Sequence, residues 1–172
     1  MSTEFYNRNW RMPNSFNGSE DNNSTFSNYS MSFDGSTNSI SLPEVIYSGA
    51  FTFSFWVNPD TLGGLDFIAG DINSNAHFIW IQSSTVIMLK TNGSIYTFTE
   101  SAGNDITINS WQNITITRDG SDNVKAFRNG NIFGVTSVLT GDFKLNSIGE
   151  VFSAIGNWLF NGKLDHFSIF DY

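Results

Sequence analysis

From Tyr29 onward, apolar and polar residues alternate with a period of two. Tyr29, Met31 and Phe33 alternate with Ser30, Ser32 and Asp34. Phe51, Phe53, Phe55 and Val57 alternate with Thr52, Ser54 and Trp56, and Ile114 and Ile116 with Asn113, Thr115 and Thr117. Successive side chains of an extended strand leave on opposite sides, so each segment predicts a strand with one core face and one more polar face. Turn signals separate these segments. Asn92-Gly93 divides a strand near Val86–Lys90 from one at Ser94–Thr99, and Asn129-Gly130 divides Val124–Arg128 from Asn131–Val135. Asn-Gly suits the tight turns of hairpins, whose central residues need positive φ. Asp119-Gly120 opens a longer loop, and Asn161-Gly162 introduces a last strand over Lys163–Phe170. About twelve short strands and no helix follow, which predicts an all-β sandwich or barrel. Phe51, Phe53, Phe55, Ile114, Ile116, Phe167 and Ile169 are the expected core.

Residues 1–28 break the pattern. They are polar and aperiodic, with Trp10, Met12 and Pro13 as isolated anchors. An extended N-terminal arm over 1–28 and a single domain over 29–172 are expected.

Composition supports strands. Of 172 residues, 17 are Phe, and Asn, Ser, Thr and Gly fill much of the rest. There is no cysteine, so neither disulfides nor thiolate metal sites are available. The net charge of −8 argues against nucleic acid or an anionic membrane as a partner. No apolar run is long enough to predict a membrane-spanning helix. The opening Met1-Ser2-Thr3-Glu4-Phe5 has neither the basic nor the apolar stretch of a secretory signal, so none is expected.

The order of segments resembles the laminin-G-like members of the concanavalin A-like superfamily. Ser32-Phe33-Asp34-Gly35-Ser36 and Ile40-Ser41-Leu42-Pro43 are similar to their opening strands. Gly49 through Pro59 (GAFTFSFWVNP), Trp111 through Gly120 (WQNITITRDG) and Val124 through Gly130 (VKAFRNG) resemble three further family strands. Phe160 through Phe170 (FNGKLDHFSIF) resembles the closing one. The phrases around Trp10-Arg11-Met12-Pro13-Asn14 and Tyr29 through Gly35 are similar to laminin-G-like proteins of marine phages. The resemblance implies an antiparallel two-sheet jelly-roll sandwich.

Catalytic chemistry finds no motif. Glycosidases of this fold carry a Glu-x-Asp-x-x-Glu strand, and here no two acids lie two or four apart; Glu100 and Glu150 stand alone. No nucleophile elbow, zinc-protease or nucleotide motif surrounds His77 or His166. A non-enzyme is expected. By resemblance, Asp165, helped by Asp34, would hold one structural calcium ion through hard oxygens. The alternative is that Asp165 caps a turn or pairs with Lys163 or Arg118. Sugar binding needs aromatic platforms and amides. Trp56 and Trp111 match strand positions that the resemblance makes structural, which leaves Trp80, Tyr96 and Trp158 as the ligand-binding candidates. For Trp158, in the turn-rich stretch Gly156-Asn157-Trp158-Leu159, the alternative role is to plug the core. The resulting expectation is a virion structural or adhesion protein of the phage surface, in an assembly or oligomer, touching other virion proteins through its arm and host-surface glycans through its body. The alternative is a stand-alone, extracellular, lectin-like carbohydrate-binding module.

Overall fold

The computed structural model describes residues 30–172 apart from Leu65, Gly93 and residues 153–157. The expected arm over 1–28 lies outside the described residues. Chain contacts separate Met1–Ser30 from Met31–Tyr172, and the second unit is the one described here.

Twelve strands follow one another: β1 Met31–Asp34, β2 Ile40–Tyr47, β3 Phe51–Pro59, β4 Phe67–Gly70, β5 Phe78–Ser83, β6 Val86–Thr91, β7 Ser94–Thr99, β8 Gln112–Arg118, β9 Asn123–Arg128, β10 Asn131–Val138, β11 Phe143–Ile148 and β12 Asn161–Asp171. They form two six-stranded antiparallel sheets, ordered β1-β12-β3-β8-β9-β10 and β2-β11-β4-β5-β6-β7. The described residues contain no helix.

The alternation seen in the sequence is what the sandwich uses. In β3, Phe51, Phe53, Phe55 and Val57 are fully buried, and in β8 their register partners Ile114 and Ile116 are too. From the other sheet, Ile79, Ile81, Ile87, Leu89, Phe98, Phe143 and Leu145 meet them across the interior. Each such side chain stabilises the fold by about 1.5–3 kcal/mol through water removed from its surface. The rings meet at tilted and edge-on angles, as between Phe53 and Phe143 at 4.9 Å and 60°.

The closing strand β12 departs from strict alternation. Asp165 pairs with Trp56 and Ser168 with Ser54, so His166 and Phe167 together face the single residue Phe55. This bulge has His166 at φ +48°, and it returns Phe167 to the interior, stacked on Phe55 at 5.5 Å. Phe167 and Ile169 are half-buried and pack against the core.

The two flanks of the sandwich differ. On one, β7 and β10 abut: the Tyr96 hydroxyl donates to the Val135 carbonyl at 3.1 Å. Gly134 (φ +72°) allows this approach, because a Cβ there would lie 2.8 Å from the Thr99 nitrogen. On the other flank the sheets stay apart. A groove of about 430 Å³ opens there, lined by Leu42, Pro43, Val45, Tyr47, Leu145, Ile148, Phe167 and Ile169.

Candidate functional site

The outward face of the β1-β12-β3-β8-β9-β10 sheet combines exposed indoles with amides and hydroxyls. Alternation that buries Phe55 and Val57 sends Trp56 outward, where it is 40% exposed. It pairs with Asn113 of β8 on one side and Asp165 of β12 on the other. Trp111 directly precedes the buried Gln112 and is also 40% exposed. Gln112 is the register partner of Val57, which places Trp111 just before β8, two residues from Asn113 of the Trp56–Asn113 pair.

Polar groups around Trp56 are held in fixed directions. Asn113 Nδ2 donates to the Phe55 carbonyl at 3.2 Å and to Ser54 Oγ at 3.3 Å. The Thr115 hydroxyl donates to Asn113 Oδ1 at 3.0 Å, and the Asn113 amide N–H donates to Asn129 Oδ1 at 2.8 Å. Asn58, facing Lys163 across the ladder, has a buried Oδ1 without a hydrogen-bond partner. At the bulge, His166 Nδ1 stands 3.0 Å from Asp165 Oδ1, and the imidazole is more than half exposed. Trp56 carries a flat apolar surface beside the polar side chains of Asn113 and Asp165, its register neighbours, and Trp111 adds a second exposed indole; such rings stack on the C–H face of a pyranose.

The expected site residues fall elsewhere. Trp80 and Trp158 come together, but on the outward face of the opposite sheet. Phe67 is stacked between them, with ring centres at 4.9 and 4.7 Å and planes within 13° and 9°. Trp80 Nε1 donates to the Gly64 carbonyl at 3.2 Å. Phe78, Met88, Val151 and Phe152 complete this packed patch. Tyr96 points inward instead, edge-on to Phe98 at 4.8 Å, with its hydroxyl spent on closing the flank. Trp56 and Trp111, expected to be structural, are each 40% exposed, while Trp80 and Trp158 are half-buried. The signal was present, since Trp56 shares a strand side with Thr52 and Ser54.

Asp34 and Asp165 sit on neighbouring strands but do not meet. Asp34 is opposite Asn161, four residues from Asp165, a separation of about 13 Å at the rise of an extended strand. Asp34 accepts from the Thr37 hydroxyl at 2.6 Å and from the amides of Ser36, Thr37 and Asn38. The Thr37 hydroxyl first, and then these amides, hold its carboxyl well below the usual carboxylate range. Asp165 accepts from the His166 amide at 2.8 Å. The two acids do not form a common ligand set for calcium, and among the described residues no three His, Asp or Glu side chains are grouped to hold a metal ion.

The second sheet holds a buried charged cluster. Asp71 accepts from Asn146 Nδ2 at 2.9 Å and lies 3.0 Å from Lys144 Nζ. His77 is buried beside it, with Nδ1 at 3.2 Å from the Lys144 amide. Burial pushes its pKa down, against the opposing pull of Asp71. Glu100 curls onto its own loop, accepting from the Ser101 and Ala102 amides.

Residues 34–172 match the model of a family described as the concanavalin A-like lectin/glucanases superfamily. The chain belongs to this superfamily. Solved structures share its laminin-G-like jelly-roll fold. Domain 4 of the Geobacillus stearothermophilus arabinanase AbnA, in complex with arabinotriose, is 16% identical with a TM-score of 0.61, covering 83% of this chain and 70% of that one. A Bacteroides ovatus protein described as carbohydrate-binding is 18% identical with a TM-score of 0.62, covering 81% of this chain. A heptameric SAP-like pentraxin from Limulus polyphemus is 15% identical with a TM-score of 0.56, covering 80% of this chain and 73% of that one. The superfamily member described here spans 42% of the Bacteroides ovatus chain. No curated protein matches it.

Proposed function

We propose that this chain is a non-catalytic glycan-binding module that takes its ligand on the outward face of β12, β3 and β8. The observation that carries the reading is the pair of solvent-exposed indoles, Trp56 and Trp111, flanking the anchored amide of Asn113. Superfamily members of similar fold that are described as carbohydrate-binding, or as complexed with arabinotriose, support it. Fold likeness alone does not assign a ligand, so the weight rests on the face itself. Lys163 and Asp165 are adjacent along the outward side of β12, and the chain as a whole is acidic. That balance favours neutral glycans over sulfated or sialylated ones.

The test is a glycan array followed by calorimetric titration of the hits, with calcium and with chelator, on the native chain and on Trp56→Ala and Trp111→Ala. Binding of neutral glycans that both substitutions weaken is expected. A blank array in both conditions, or hits indifferent to both substitutions, would reject the site. The paired calcium and chelator arms also test the metal ion that the sequence resemblance implies.

The virion-surface setting is a part of this reading that rests on the phrases of the sequence alone. Copurification of the chain with intact phage particles is its test, and absence from such particles would remove it.

A further inference from the structure

We infer that the ligand of this face is a linear, neutral glycan of several units, lying obliquely across β8, β3 and β12 from Trp111 past Trp56 to Phe170, rather than a single terminal sugar. The inference rests on the glycan-binding reading above and names the class of glycan that the face selects.

The first observation is a third aromatic position on the same side of the same sheet. Phe170 of β12 is 56% exposed. Its register partner is Thr52 of β3, whose neighbours Phe51 and Phe53 are fully buried. Residues directly opposite in an antiparallel pair share a face, so Phe170 leaves the sheet on the side of Trp56. Tyr172 joins it there, 76% exposed, with its hydroxyl 2.7 Å from Thr52 Oγ1. Exposed rings grouped on one side of a sheet mark a contact surface.

The second observation is spacing. Thr52 is four residues from Trp56 along β3, about 13 Å at the rise of an extended strand. Trp111 lies on the other side of Trp56, because β8 runs antiparallel to β3 and Trp111 precedes Asn113. From Trp111 to Phe170 the rings therefore span about 20 Å along the strands while stepping across from β8 to β12. A single sugar ring covers one of these positions. Only a chain reaches all of them.

The third observation is what separates the rings. Ser168, Ser54 and Thr115 are register partners on β12, β3 and β8, and they form a row of hydroxyls between Trp56 and Phe170. Ser54 Oγ accepts from Asn113 Nδ2 at 3.3 Å, Thr115 donates to Asn113 Oδ1 at 3.0 Å, and Ser168 donates to the His166 carbonyl at 3.3 Å. A hydroxyl has one donor and two acceptor sites, so each of the three keeps capacity for a ligand hydroxyl. Short side chains also leave the face lower there than at the rings. Lys163 and Asp165 stand at the Trp56 end, opposite Asn58 and Trp56, and no charged side chain occupies the row. Rings that stack at both ends, with uncharged hydroxyls between them, suit a neutral chain bound along its length.

Calorimetric titration of cello-, xylo-, manno- and arabino-oligosaccharides, each from the monosaccharide to the hexasaccharide, tests this. In the series that binds, affinity should rise with length until the chain reaches from Trp111 to Phe170. Phe170→Ala, alone and with Tyr172→Ala, should weaken hexasaccharide binding by about 2- to 12-fold, the gain of a stacked ring, and leave disaccharide binding unchanged. Phe170→Tyr keeps a ring and should bind as the native chain does. Both positions are exposed, and circular dichroism confirms that each variant folds. A hexasaccharide bound no more tightly than the disaccharide, or a Phe170→Ala/Tyr172→Ala chain that binds it as tightly as the native chain, would overturn the inference. Trp56→Ala, which should weaken short and long ligands alike, reports separately on the glycan-binding reading. Binding of no series would remove that reading and the inference with it.

Discussion

The guanidinium of Arg118 lies 4.5 Å from the centre of the Phe51 ring, and the two residues are register partners in β8 and β3. Arg118 is 1% exposed, an unusual place for a cation. Its donors are taken by carbonyls: Nε and Nη2 bond Gly49 at 2.8 and 2.6 Å, and Nη1 bonds Gly141. The nearest carboxylate, Asp122, is 3.8 Å away. The side chain thus ties two loops to the ring layer. Arg118→Ala should cost about 3–5 kcal/mol, the range for breaking a buried charged network. For a domain of this size that is a fall of roughly 6–20 °C in Tm. Arg118→Lys should recover little, because an ammonium lacks the planar fork that reaches both loops. Differential scanning calorimetry of the three chains decides it.

Gly149 offers a second stability test. It has φ +82°, its amide donates to the Ile68 carbonyl at 2.8 Å, and its carbonyl accepts from Phe160 at 2.9 Å. A Cβ there would run into the ring edge of Phe33. Gly149→Ala should cost about 2–4 kcal/mol, combining overpacking with left-handed strain. Because the clash is with that ring, the double substitution with Phe33→Ala should be less destabilising than the sum of the singles in urea melts.

At the glycan face, removing either exposed indole should weaken binding by about 2- to 12-fold, the equivalent of 0.5–1.5 kcal/mol per stacked ring. Melting should stay within about 0.5 kcal/mol of the native chain, as for other surface changes. Phe67→Ala gives the opposite pattern. It empties the space between Trp80 and Trp158, should cost about 3–5 kcal/mol, and should leave affinity unchanged. Titration and melting on the same preparations separate the two faces.

His77 makes stability depend on pH. Burial lowers its pKa in the folded chain, Asp71 and Asp142 oppose this, and Lys144 adds to it. The unfolded chain therefore binds more protons below about pH 6.5, the ordinary histidine value. The contribution of neutral His77 is complete above that pH and is lost as pH falls. Between pH 7.5 and 5, the urea midpoint should drop more for the native chain than for His77→Gln. Equal drops would place the dependence on groups other than His77; Asp66 is not one of them, because burial pushes its pKa up and it gains stability as pH falls.

The sandwich was legible because its signals are local. Alternation in β3 and β8 and Asn-Gly at the β6–β7 and β9–β10 turns depend on neighbours within a few residues. The inward places of Phe167 and Ile169 were anticipated, but the bulge that produces them was not, since nothing in Asp165-His166-Phe167 marks an extra residue. Site residues depend on what packs over each sheet. Trp80 and Trp158 look free in sequence, yet the ring of Phe67, 13 residues before Trp80 and 91 before Trp158 in chain number, draws both against a sheet. Asp34 and Asp165 looked like partners once their strands were neighbours; register, set by Met31 opposite Leu164, keeps them apart. Fold survives ignorance of such long-range detail, whereas a binding site is made of it.

The bulge in β12 also bears on how this strand tolerates change. If His166 were deleted, Phe167 alone would face Phe55, and Asp165 and Ser168 would keep Trp56 and Ser54 as partners. No side chain would swap from interior to exterior. His166 is a spare link in the ladder, open to replacement or loss, whereas a deletion at Leu164 or Ile169 would turn the remainder of the strand inside out.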